Sequence, residues 1–161
     1  MNTNEMSIHD IWQEMADRHA CMLIDQDGGR LRARPMAPVA REEEGAIWFV
    51  TDVNAAKDDE IQANPQVCLA FSDEDDHFFL SVSGRAEVVR DIAKLKEIWT
   101  TPMEAYFPGG PNDPNALLLR VTPEQAECWQ GDSTLVTGFK MAAAILGERK
   151  PDLGTHAKMR L

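Results

Sequence analysis

The run Gln26-Asp27-Gly28-Gly29 constrains the fold of this chain more than any other stretch. Paired glycines behind an aspartate supply the backbone angles of a tight reversal, so residues 20–25 and 30–39 are expected to form an antiparallel hairpin. Side chains alternate along a strand, which puts Arg32 and Arg34 on one face and Leu31 and Ala33 on the other. Similar punctuation recurs downstream. The charged turn Arg41-Glu42-Glu43-Glu44-Gly45 leads into a strand over 46–51, and the acidic tip Asp73-Glu74-Asp75-Asp76 separates strands over 67–72 and 77–89. Gly84 inside the latter marks a bulge or bend. Further strands are predicted over 117–121 and 126–129, beyond a loop from Phe107 to Pro114 too rich in proline and glycine for regular structure.

Helices punctuate this pattern. Ser7 and Asp10 form a capping box ahead of Ile8, Ile11, Trp12 and Met15 at helical spacing, predicting a helix over 7–18. A second begins behind Asn54 and stops near Asn64-Pro65. A third covers 92–99, and a last one 139–147. The tail from Lys150 is expected to be mobile or docked on a partner subunit. About six strands in hairpin-like succession, with one helix inserted after the third, predict a mainly β, α+β architecture: an antiparallel barrel carrying helices. At 161 residues the chain fits one domain over 1–161, its C-terminal helix and tail starting near 139.

A formal charge of −11 argues against nucleic acid or an anionic membrane surface as the main partner, because both require a basic stripe. An anionic ligand must therefore meet locally concentrated positive charge, which directs attention to Arg30, Arg32, Arg34 and Lys57. Lys57 falls in the first turn of the helix behind Asn54, where the macrodipole disfavours a cation. Either the ammonium is solvated and offset by Asp58, Asp59 and Glu60, or an anion sits opposite it. A phosphate held by helix N–H groups, the Thr51 hydroxyl and Lys57 would resolve the conflict.

No run approaches the roughly 18 apolar residues of a membrane span, and the first residues lack a charged-then-apolar leader pattern, so a cytoplasmic protein is expected. Three widely spaced cysteines, Cys21, Cys68 and Cys128, read as buried free thiols. The four histidines have no ligand spacing, and the acidic tip lacks the glycine and terminal glutamate of a calcium loop. No metal site is expected.

Several segments together resemble the split-barrel flavin mononucleotide (FMN) proteins related to pyridoxamine 5′-phosphate oxidase, and within them the general stress protein 26-like branch. They are Arg32-Ala33-Arg34-Pro35-Met36, Phe49-Val50-Thr51-Asp52 with Lys57, Ser81 to Val88, Phe107-Pro108-Gly109-Gly110 with Asp113-Pro114, and Trp129-Gln130-Gly131. The resemblance implies an antiparallel split β-barrel with FMN, or alternatively its adenine dinucleotide relative FAD, as cofactor. It implies Arg34, Pro35, Met36, Val50, Thr51 and Lys57 as flavin contacts. A symmetric homodimer is implied too, with Trp129 lent across the subunit boundary. Pro35 has no N–H, so backbone donors there fall to residues such as Met36.

The implied activity is that of an oxidoreductase acting on a small-molecule redox substrate, with no side chain singled out as catalytic. The chain departs from true pyridoxamine phosphate oxidases after Gly131, where Asp132-Ser133-Thr134-Leu135 replaces the arginine and histidine that grip that substrate. Oxidation of pyridoxamine phosphate is therefore not expected. The alternative is a stress protein that binds, buffers or senses flavin without turnover.

Overall fold

The structure, a computed structural model, describes residues 6–54, 61, 63–131 and 154–161. Helix α1 (Ile8–Asp17) opens with the expected capping box, in which Ser7 Oγ accepts from the Asp10 N–H at 3.1 Å and Asp10 Oδ2 accepts from the Ser7 N–H at 2.7 Å. Its apolar stripe, Ile11, Trp12 and Met15, is buried. Strands β1 (Cys21–Asp27) and β2 (Arg30–Met36) form the hairpin, with Gly28 and Gly29 at φ 56° and 82° in the reversal.

The second strand stops at Met36, not at residue 39. After Ala37 and Pro38 the chain enters β3 (Val39–Arg41), which pairs with β4 (Ala46–Asp52) and not with β1. Strands β5 (Gln66–Asp73) and β6 (Phe78–Val89) follow, then α2 (Ile92–Ile98), and the loop beyond it contains short 3-10 turns at Thr101–Ala105 and Gly110–Asn112. The two strands expected over 117–129 are one, β7 (Ala116–Gly131). Its Pro123 is tolerated because it faces Gly84 at the shift in register between Ser83 and Gly84. The tail is not loose over its last residues: β8 (Gly154–Arg160) pairs antiparallel with β7. The helix expected over 139–147 and the start of the helix carrying Lys57 lie outside the described residues.

All described pairings are antiparallel, in the order β2-β1-β5-β6-β7-β4-β3, with β8 beside the second half of β7. Strands β2 and β3 occupy opposite ends of this order, yet only Ala37 and Pro38 separate them. Three Cα–Cα steps reach at most about 11 Å, so the sheet must curl until its two edges face each other. Among the described residues no ladder joins those edges. The barrel is split.

Its interior holds Leu23, Ile47, Phe49, Leu69, Phe71, Phe78 and Leu80, covered at one end by α1. A second cluster, Ala46, Trp48, Leu95, Ile98, Phe107 and Leu118, packs α2 on the outside of β4 and β7. Strand β4 is thus covered on both faces, which explains its continuous apolar run.

Candidate functional site

The split produces a cavity of about 470 Å3. Continuing the β3–β4 register beyond Val39 and Trp48 would set Ala37 opposite Val50 and Pro35 opposite Asp52, but the chain leaves for β2 there and the edges part. Pro35, Met36 and Ala37 line one side of the gap and Val50, Thr51 and Asp52 the other. Because β4 is paired on that edge only as far as Trp48, alternate backbone N–H and C=O groups beyond it face the gap. They provide hydrogen-bonding groups for a planar polar edge.

The third wall comes from the segment after α2, through Met103, Tyr106 and Phe107. Phe107 is buried and meets Trp99 edge-to-face at 6.0 Å, whereas the Tyr106 ring is exposed. Asp113 holds the following loop in shape, accepting from the Gly109 N–H at 3.0 Å and the Asn115 N–H at 2.9 Å. Opposite, Asp52 Oδ1 accepts from the Asn54 N–H at 2.6 Å and turns the chain at the end of β4. Thr51 is one of the few buried polar residues, and its hydroxyl is the polar side-chain group of that wall apart from Asp52.

Of the residues singled out in the sequence, Pro35, Met36, Val50 and Thr51 meet in this one cavity. Arg34 is next to it in the chain and shares a strand face with Met36, about 7 Å along β2. Its guanidinium is already engaged: Nη2 lies 3.2 Å from Asp25 Oδ2. Arg32 lies with its Nε 3.9 Å from Asp25 Oδ1 and its Nη1 3.1 Å from Asp27 Oδ2. The charges of Arg32 and Arg34 are therefore matched by the strand opposite. Lys57 lies outside the described residues.

Trp129 does not line the cavity. Thr51 pairs with Leu117 near the start of β7, and Trp129 lies roughly 40 Å of strand path further on. It is 40% exposed, faces Phe79 across the β6–β7 ladder, and stacks on His156 with ring centroids 5.1 Å apart. His156 Nε2 is 2.8 Å from Glu127 Oε1. Met103 and Tyr106 escaped the sequence reading because they reach the cavity only through the packing of α2. Phe107 carried a signal, an aromatic beside a rigid loop.

Burial disfavours the thiolate at Cys21 and Cys128. Burial pushes Cys21 up to about 12, and burial with the nearby Glu14 carboxylate pushes Cys128 up to about 11. Cys68 is half-buried, its Sγ 3.3 Å from Ser81 Oγ.

Comparison with known proteins agrees with this architecture. The family model described as pyridoxamine 5′-phosphate oxidase like matches residues 6–152. General stress protein 26 of Bacillus subtilis (strain 168) is 33% identical over 86 residues, which cover 48% of this chain and 57% of that protein. The chain spans only 61% and 57% of the lengths of the curated relatives it matches. Among crystal structures, a protein assigned as general stress protein 26 from Jannaschia sp. CCS1 superposes with a TM-score of 0.74 at 28% identity, covering 95% of this chain and 97% of that one. The general stress FMN/FAD binding protein of Xanthomonas citri gives 0.63 at 31% identity, covering 77% and 88%. An open antiparallel barrel with its cavity at the split, matched over nearly its whole length, makes this chain a member of the pyridoxamine 5′-phosphate oxidase like family, in its general stress protein 26 branch.

Proposed function

We propose that this chain binds a flavin in the gap between β2 and β4, FMN in preference to FAD, and acts as a flavin-dependent oxidoreductase on a small-molecule redox substrate. The observation that carries the reading is the cavity itself. Its volume of about 470 Å3 falls within the roughly 300–1,000 Å3 typical of cofactor sites, and its walls combine apolar faces with an unpaired strand edge. Met36 and Val50 offer flat apolar contact for a planar ring, and the free backbone groups of β4 suit its polar edge. Thr51, Arg34 and Lys57 supply a hydroxyl and two cations for a phosphate. Bound flavin supplies the electron transfer, while the protein contributes placement, exclusion of water and hydrogen bonding.

A homodimer belongs to the same proposal. The outer face of the sheet runs without charge from Pro35 through Met22 and Ala70 to Ser81, and Phe79 and Trp129 lie exposed beside it. An uncharged outer face with aromatics at its margin favours an isologous contact, in which each Trp129 would reach the partner.

The missing arginine and histidine after Gly131 support a second reading, a protein that holds flavin without turnover. Purified protein separates the two. Absorption near 450 nm, with FMN identified by mass, followed by rapid bleaching with a reduced nicotinamide under anaerobic conditions, supports the oxidoreductase. Bound flavin that no such donor reduces supports the second reading. A colourless protein that leaves added FMN fluorescence unquenched would refute both.

A further inference from the structure

Asp25 and Lys94 are the buried charged residues among those described. Lys94 has two carboxylate partners, whereas Asp25 is incompletely served. Its side chain is 6% exposed, Oδ2 meets Arg34 at 3.2 Å, and Oδ1 has no hydrogen-bond partner among the described residues, with Arg32 Nε 3.9 Å away. A carboxylate that deep is costly unless cations hold it, so the two arginines on the inner face of β2 compensate Asp25 before they can serve any ligand. Arg32 and Arg34 against Asp25 and Asp27 leave this corner without net charge.

We propose that Asp25 is a specificity-determining residue of the flavin site: it holds the Arg34 guanidinium on the strand face it shares with the cavity-lining Met36 and, by offsetting its charge, limits the preference for phosphorylated over phosphate-free flavin. The inference rests on the flavin reading above. The placement of these residues supports it. Asp25 faces Arg32 across the hairpin and reaches diagonally to Arg34. Arg34 and Met36 share a strand face, and Met36 lines the cavity. A phosphate gripped by Arg34 would consequently lie within about 10 Å of the Asp25 carboxylate, close enough for repulsion to matter at the edge of a protein interior.

Asp25→Asn keeps an oxygen opposite the Arg34 guanidinium and removes the charge. Titrating FMN and riboflavin separately into apoprotein, followed by flavin fluorescence, gives the ratio of their dissociation constants. The ratio should shift about tenfold towards FMN in the variant, with riboflavin affinity nearly unchanged. Asp25→Thr, which suits a strand, should shift it the same way if the asparagine variant does not fold. Folded variants with an unchanged ratio overturn the role of Asp25. Failure of wild type to bind either flavin would instead overturn the flavin reading.

Discussion

Replacing Lys94 by alanine tests how α2 is held against the barrel. Lys94 Nζ donates to Glu44 Oε1 at 2.5 Å and to Glu97 Oε2 at 2.8 Å, and it lies 5.1 Å from the centroid of the Trp48 ring. Two charge-assisted bonds are worth about 1.5–3 kcal/mol each in gross terms, and the cation–π contact about 0.5–1 kcal/mol. Against this stands the desolvation of a buried ammonium, several kcal/mol, which the variant no longer bears. The carboxylates left behind are not stranded: Glu97 is 50% exposed, and Glu44, 31% exposed, keeps the Trp48 Nε1–H donor at 2.7 Å. The net loss should be about 2 kcal/mol. Unfolding entropy of roughly 2.1 cal/mol/K per residue turns that into a fall of about 6 °C in Tm.

The loss should also depend on pH. The Lys94 hydrogen bond holds the Glu44 carboxyl below its usual 4.5, against an opposing push from burial. Burial pulls the Lys94 ammonium down, but its bonds to Glu44 and Glu97 outweigh this and raise it above 10.5. A depressed acid contributes stability that is present above its unfolded pKa and lost as pH falls through the folded one. A raised base contributes below its unfolded pKa and loses that contribution as pH rises through the folded one. The cluster is therefore fully effective between about pH 5 and pH 10, and the gap between wild type and Lys94→Ala should narrow as pH falls below 4.5. Urea unfolding at pH 7 and pH 3 measures it. Equal stabilities at pH 7, or the same gap at both values, would refute the reasoning.

Gly84→Ala should destabilise the fold by about 2–4 kcal/mol, because the new Cβ would lie 2.4 Å from the Thr122 carbonyl oxygen and 2.9 Å from Pro123 Cα; denaturant unfolding would detect it, and a neutral result would contradict the bulge. Iodoacetamide at pH 7.5, with mass mapping, should leave Cys21 and Cys128 unmodified until denaturant is added, since burial keeps both thiols protonated. Lys57→Ala should weaken FMN far more than riboflavin, and equal losses by fluorescence titration would remove the lysine from the phosphate site. If the proposed homodimer forms, Trp129→Ala should weaken its flavin binding while leaving the cavity residues of its own subunit folded, as read by titration beside sedimentation. An unchanged affinity would take the indole out of the site.

Local chemistry was the most legible part. The capping box of Ser7 and Asp10, the Gly28-Gly29 reversal and the bulge at Gly84 each depend on residues close together in sequence or on a backbone position that glycine suits. What escaped depended on distant partners. Residues 30–39 read as one strand because their alternation continues to Val39, although Pro38, which cannot donate to a ladder, stands where the path changes edges. Residues 117–121 and 126–129 read as two strands, whereas their continuity through Pro123 depends on Gly84, a residue of another strand. The pairing of β8 with β7 was illegible in a short polar tail whose register comes from the strand beside it. The offset of Arg34 was nearer to hand, since a two-residue turn fixes the hairpin register and with it the proximity of Asp25.

These failures share a cause that bears on the site. Met36 packs with the barrel interior and Val50 with the cluster beneath α2, so the cavity lies where two separate cores meet along edges that no ladder joins. Its existence follows from topology, because a two-residue link must carry the chain between opposite ends of the strand order. Side chains at the gap can then change without closing it, provided Pro35 to Pro38 keep their path. Under the flavin proposal, ligand choice is governed separately, by the charges of Asp25, Arg32 and Arg34 on β1 and β2. A chain built this way can keep its gap while changing the charge beside it through single residues such as Asp25. That separation is why the Asp25 variants should alter selectivity between two flavins while riboflavin still binds.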